Sequence, residues 1–196
     1  MEKRLDFTAK QITGIAVLLA LVVVLQVALG SITIGAVTLN FTLIPIVLGG
    51  ILFGSVAGLI LGLACGVVVL IQVMLGGSPF YTLIWANDPV VTTLTCLVKS
   101  SVAGYLGGLS YTLLKKKQPI VAVFVASAIV PIVNTGLFIV GCLFMFDSVH
   151  TLSAVSGQNL LVFILVGLVT FNFFIELAIN MVFAPAINRI IKIIKR

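Results

Sequence analysis

The sequence predicts an all-α fold, an integral membrane bundle of six transmembrane helices with both termini in the cytoplasm. Three observations carry this expectation. Of 196 residues, 61% are hydrophobic and 8% charged, and the mean hydropathy is +1.35, too little polar surface for a soluble domain. The apolar residues fall into runs long enough to cross a bilayer, which takes about 20 residues of helix. Ten of the eleven Lys and Arg residues gather near the two ends and in one connection. Length and composition fit one domain over residues 1–196 with little mass outside the membrane.

The first span is expected over Ala9–Leu29, longer than the apolar core of a cleaved signal peptide and better suited to crossing. Apart from Gln26 it is apolar almost all round, so one side meets lipid or another membrane protein. Ala16 and Ala20 form a small-xxx-small pair on one of its faces. The stretch Gly30–Phe41 alternates apolar and small polar residues and suits a short extended cap. A second segment, Asn40–Phe53, is short and contains Pro45, which makes it either a stubby span or a broken one. The third span, Ser55–Leu75, follows a stripe of glycines, Gly54, Gly58, Gly62 and Gly66, that lets another backbone approach closely. A fourth is expected over Pro89–Leu114, a fifth over Pro119–Phe146 and a sixth over Asn159–Ala186.

With six spans, Lys3, Arg4, Lys10, Lys115, Lys116, Lys117, Arg189, Lys192, Lys195 and Arg196 all fall on the side of the termini. The positive-inside rule makes that side cytoplasmic. The same placement turns the net charge of +6 into an orientation signal and a contact for lipid headgroups, not for nucleic acid. Cys65, Cys96 and Cys142 sit in apolar runs without a Cys or His partner and read as small buried hydrophobes. No phosphate-binding loop and no catalytic or metal-ligating motif is present, so neither catalytic nor metal residues are assigned.

The eleventh basic residue, Lys99, lies inside the fourth span, about 15 Å from its outer end at the helical rise of 1.5 Å per residue. Asn134 and Asn172 reach similar depths, about 18 and 20 Å. Asn172, Glu176 and Asn180 share one helical face. An intramembrane cation needs a partner. Lys99 therefore either pairs with Glu176 or meets an anionic group of a ligand, and Asn134 and Asn172 either bridge helices or orient that ligand. The outer connection LGGSPFYTLIWANDPV supplies Tyr81, Trp85, Asn87 and Asp88, either as an interfacial belt or as a lid over a cavity. Asp147 and His150 lie in a further outer connection, where a lone histidine reads as solvated surface.

AVLLA in the first span, the run ITIGAVTLNFTLIPIVLGGILFGSVAGLILG and the segment NDPVVTTLTCLVKSSVAGYLGG carry a resemblance over essentially the whole chain. The chain resembles the substrate-binding (S) components of energy-coupling factor (ECF) transporters, small six-helix vitamin-capture proteins of the prokaryotic plasma membrane. The resemblance implies that Ala16 and Ala20, in the AxxxA pattern, dock a transmembrane coupling subunit driven by two ATPases. It also implies that ATP is used by those partners and that this chain carries no cofactor. The vitamin would bind in the outward half of the last three spans, with Lys99 as anion contact and Asn134 and Asn172 as orienters. Trp85, Tyr81 and Phe41 would form its walls, and Asn87 and Asp88 would be loop contacts. KSSVAGYLGGLSY and PIVNTGLFIVG look most like the subgroup that includes pantothenate transporters. Folate, cobalamin and thiamine or pyrimidine precursors stay open. From the residues alone, a stand-alone proton-coupled transporter of a small organic anion, with Lys99 and Glu176 as its working pair, is the alternative. A membrane scaffold built on the Gly and Ala stripes is a third.

Overall fold

The computed structural model describes residues 8–29, 33–34, 37–38, 40–77, 79–155, 157, 159, 162 and 171–194. Among these, eight helices and one tiny hairpin follow in order: α1 Ala9–Leu29, β1 Thr33–Ile34, β2 Val37–Thr38, α2 Leu43–Phe53, α3 Ser55–Met74, α4 Pro79–Asn87, α5 Pro89–Leu114, α6 Pro119–Phe144, α7 Phe146–Val155 and α8 Phe171–Ile194. Lys3, Arg4, Lys195 and Arg196, counted above for orientation, lie outside the described residues.

Five helices, α1, α3, α5, α6 and α8, are long and apolar enough to cross a membrane. The second expected span is not a sixth of that kind. At 11 residues, α2 is only about 16 Å long, half a bilayer core. Pro45 is no obstacle to it, because a proline in the first turn removes an N–H that has no helical partner. The chain then reverses at once through Gly54, whose φ of +98° suits glycine and strains other residues. This glycine belongs to the turn, whereas the sequence pattern placed it on the packing stripe. The sixth expected span is described only from Phe171, and its expected beginning, residues 160–170 apart from Val162, lies outside the described set.

The remaining stripe does its packing against α5. A side chain added at Gly58 would meet the Gly104 carbonyl, one at Gly62 the Ser100 carbonyl, and one at Gly66 the Cys96 carbonyl. The two helices thus run in opposite directions with backbone touching backbone, which only residues without a Cβ permit. Gly104 returns the contact on Gly58, and Gly108 packs on Gly50 of α2 and Ser55 of α3.

Helix α1 turns Ile15, Leu18, Val22 and Gln26 inward and leaves Ile12, Val17, Val24 and Val27 exposed. Ala16 and Ala20 are also on its exposed side. Comparable apolar exposure on α3, α5, α6 and α8 marks the surface facing lipid. Two connections that the sequence left as loops contain helices. In α4, Phe80, Tyr81 and Ile84 are buried on one face, and a proline at the first position starts the turn. In α7, Val149 and Ser153 are buried, while His150 is exposed. The stretch expected as an extended cap holds the antiparallel pair Thr33↔Thr38 and Ile34↔Val37.

Candidate binding cavity between the membrane helices

Over its first three turns, α5 carries Thr92, Thr95, Cys96 and Lys99, and these line a cavity of about 50 Å3. Gln26 of α1 and Val69 and Val73 of α3 contribute to one side. Asn134, Thr135 and Phe138 come from α6, Asn172, Phe173 and Glu176 from α8, and Tyr81 and Ile84 from α4. Segments distant in sequence thus deliver one cation, one carboxylate, four amides and three aromatic rings to one space within the membrane span.

Lys99 places its ammonium over the Phe138 ring, 4.9 Å from the centroid, a cation–π contact that offsets part of the cost of removing the charge from water. Phe138 in turn meets Phe80 of α4 edge-on, centroids 6.3 Å apart. Lys99 also borders an apolar recess of about 450 Å3 between α5 and α6, lined by Val98, Leu137, Val140 and Phe144 among others. Phe138 lines the polar cavity and not this recess, so the charged tip belongs with the polar groups.

Glu176 is 7% exposed. Its Oε1 accepts a hydrogen bond of 2.9 Å from the backbone N–H of Asn40. Among the described residues, Lys99 and Glu176 form no ion pair; the sequence left such a pair open as one of two readings. Asn40 sits at the mouth of α2, where its side-chain oxygen accepts from Thr42 Oγ1. The same hydroxyl lies 3.0 Å from Cys65 Sγ. One small polar knot therefore ties α8, the entrance of α2 and α3 together.

Asn134 Oδ1 accepts from Ser100 Oγ at 3.2 Å, fixing the amide from the neighbouring helix. Gln26, 2% exposed, donates from Nε2 to Gln72 Oε1 at 2.9 Å, and Gln72 Nε2 donates to the Gln26 carbonyl at 3.0 Å. This reciprocal pair joins α1 to α3 beside the cavity. Thr92 Oγ1 donates to the Ile84 carbonyl at 3.1 Å and so ties α4 to the first turn of α5.

Of the residues singled out in the sequence, Lys99, Asn134, Asn172 and Tyr81 line the cavity together. Trp85, Asn87, Asp88 and Phe41 do not. Trp85 packs half-buried against the core, Asn87 is exposed, and Asp88 stands at the N-terminal cap of α5. Phe41 is half-buried in the turn before α2. Sequence reading missed Gln26, Asn40, Thr92, Thr95, Cys96 and Phe138 as cavity residues. A polar interruption in an apolar run was a usable signal for Gln26 alone.

A family model described as ECF transporter, substrate-specific component, matches residues 10–188. The chain belongs to that family. Neither a curated protein nor a solved structure matches it. As a substrate-specific component, it is a substrate-binding subunit of a transporter and not an enzyme, and it works with the other modules of an ECF transporter. Five apolar helices of spanning length make this substrate-specific component a multi-pass membrane protein.

Proposed function

We propose that this substrate-specific component captures a carboxylate-bearing vitamin, with pantothenate the leading candidate, from outside the prokaryotic plasma membrane. In this reading α2 completes a bundle of six membrane segments with both termini cytoplasmic. The observation that carries it is Lys99, a cation on a membrane helix that lines a polar cavity and has no carboxylate partner among the described residues. Such a charge is costly in the membrane and is the expected mark of a substrate contact. An incoming anion draws the ammonium from the Phe138 face, while Asn134 and Asn172 orient the polar remainder and Tyr81 closes one side. Trp85, Asn87 and Asp88 then act through the placement of α4 and not by lining the cavity. A vitamin needs more room than about 50 Å3, so α4, which lines one side, moves away to admit it.

Transport follows from docking of the exposed Ala16–Ala20 face on a transmembrane coupling subunit powered by two ATPases, with no cofactor in this chain. Lys99→Ala weakens ligand affinity by about tenfold or more, the worth of a charged hydrogen bond, while the protein still inserts. Unchanged affinity rejects the anion assignment. Mass spectrometry of the small molecule that co-purifies identifies the vitamin. Uptake by this chain alone in proteoliposomes, driven by a pH gradient, would replace the proposal with a stand-alone transporter.

A further inference from the structure

The cavity holds two side chains of opposite charge that do not pair. Lys99 of α5 rests on the Phe138 ring, and Glu176 of α8 is tied through Oε1 to the Asn40 backbone. Both line the same space. Opposite charges in a bundle of this kind ordinarily close on each other, because an isolated buried charge is strongly unfavourable. Here each is held by a different neighbour. The bond to Asn40 uses one oxygen of Glu176, and among the described residues Oε2 has no protein donor. A carboxylate has lone pairs for several donors.

Hydrogen-bond satisfaction then constrains what fits. With Lys99 and Glu176 both ionised, the empty cavity is neutral. A ligand bearing only an acid satisfies Lys99 but leaves the second oxygen of Glu176 unserved in a poorly solvated space. A ligand that presents donors at its other end serves both groups. Resting on the assignment of Lys99 to an anion, we infer that Glu176 is a second ligand contact and that the substrate is bipolar. It carries an acidic group for Lys99, set apart from a hydroxyl, ureido N–H or ammonium donor for Glu176.

The test uses the full chain purified in detergent and calorimetric titration with four acids. Pantothenate and biotin carry hydroxyl or ureido donors remote from the carboxylate; nicotinate and lipoate carry none. At least one of the first two binds, and more tightly than either of the second two. Glu176→Gln keeps an oxygen for the Asn40 N–H and nearly the same shape while removing the charge, so a merely structural Glu176 leaves affinity where it was. The expected result is a loss of about tenfold for the binder in Glu176→Gln and in Lys99→Met. A loss below about threefold in Glu176→Gln, with Lys99→Met still impaired, overturns the second contact and leaves the anion reading standing. Tighter binding of nicotinate or lipoate than of both donor-bearing acids overturns the bipolar substrate. Unimpaired binding in Lys99→Met, or no binding of any of the four up to about 1 mM, overturns the parent reading with it.

Discussion

Gly62→Ala probes whether the contact between α3 and α5 sets the position of Lys99. A Cβ at position 62 would stand 2.6 Å from the Ser100 carbonyl carbon and 2.8 Å from Ser101 Cα, where ordinary contact begins at 3.4 Å. The obstacles are backbone atoms, so no rotamer change relieves them. The Ser100 carbonyl oxygen stands nearer still, so the helices must part locally by more than the 0.8 Å that the carbonyl carbon alone requires. Overpacking of this kind costs about 1–3 kcal/mol, opposed by about 1 kcal/mol of helix propensity gained when alanine replaces glycine. Gly136→Ala in α6 isolates the second effect, because nothing lies within 4 Å of the added methyl. The two variants share the propensity gain, so their stabilities differ by the overpacking cost alone. For a chain of this size each kcal/mol moves the melting midpoint by about 2–4 °C. Thermal denaturation in detergent should therefore place Gly62→Ala at least about 2 °C below Gly136→Ala. Its ligand affinity should also fall, because Ser100 is the residue next to Lys99 and a shift approaching 1 Å in a binding group is felt strongly. If Gly62→Ala melts at or above Gly136→Ala, the seam is not tight and the reasoning fails.

Two further outcomes follow from other contacts. Ala16→Trp or Ala20→Trp places a large ring on the exposed face of α1 and leaves ligand binding within about twofold of wild type, while uptake with the coupling module is abolished; normal uptake rejects that face as the docking surface. Gln26→Leu alone removes the donor to Gln72 Oε1, while Gln72 Nε2 keeps the main-chain carbonyl of residue 26, and lowers stability by about 1–3 kcal/mol, whereas the double change with Gln72→Leu recovers part of that loss. A melting series of the two single variants and the double variant reads this directly, and additive losses count against the reciprocal pair.

Much of the scaffold was legible because membrane helices obey a length rule that local sequence satisfies. Pro89 opens α5, and the lysines at 115–117 follow its end, so both boundaries carried punctuation. The depth of Lys99 followed from counting residues along that helix. The short helices were less visible. α4 and α7 have 9 and 10 residues and mix aromatic, polar and apolar types, so no extended run marks them. Their helicity comes from burying Phe80, Tyr81, Ile84 and Val149 against neighbours that sequence order does not reveal. The same limit hid half of the cavity. The bond from Asn40 to Glu176 spans 136 positions and that between Gln26 and Gln72 spans 46; no periodicity predicts which polar residues of remote segments meet. Glu176 shared a face with Asn172 on paper, yet its partner proved to be a backbone amide, a donor that every residue but proline possesses.

The aromatic series from Tyr81 through Phe80 to Phe138 ends at the ammonium of Lys99, and the first two rings belong to the same short helix as the molecule's single tryptophan, Trp85. Whatever draws the ammonium from its ring disturbs ring contacts of the helix that also carries this indole. If a ligand draws the ammonium away as proposed, the emission of Trp85 is expected to change on binding, a readout of occupancy that needs no label.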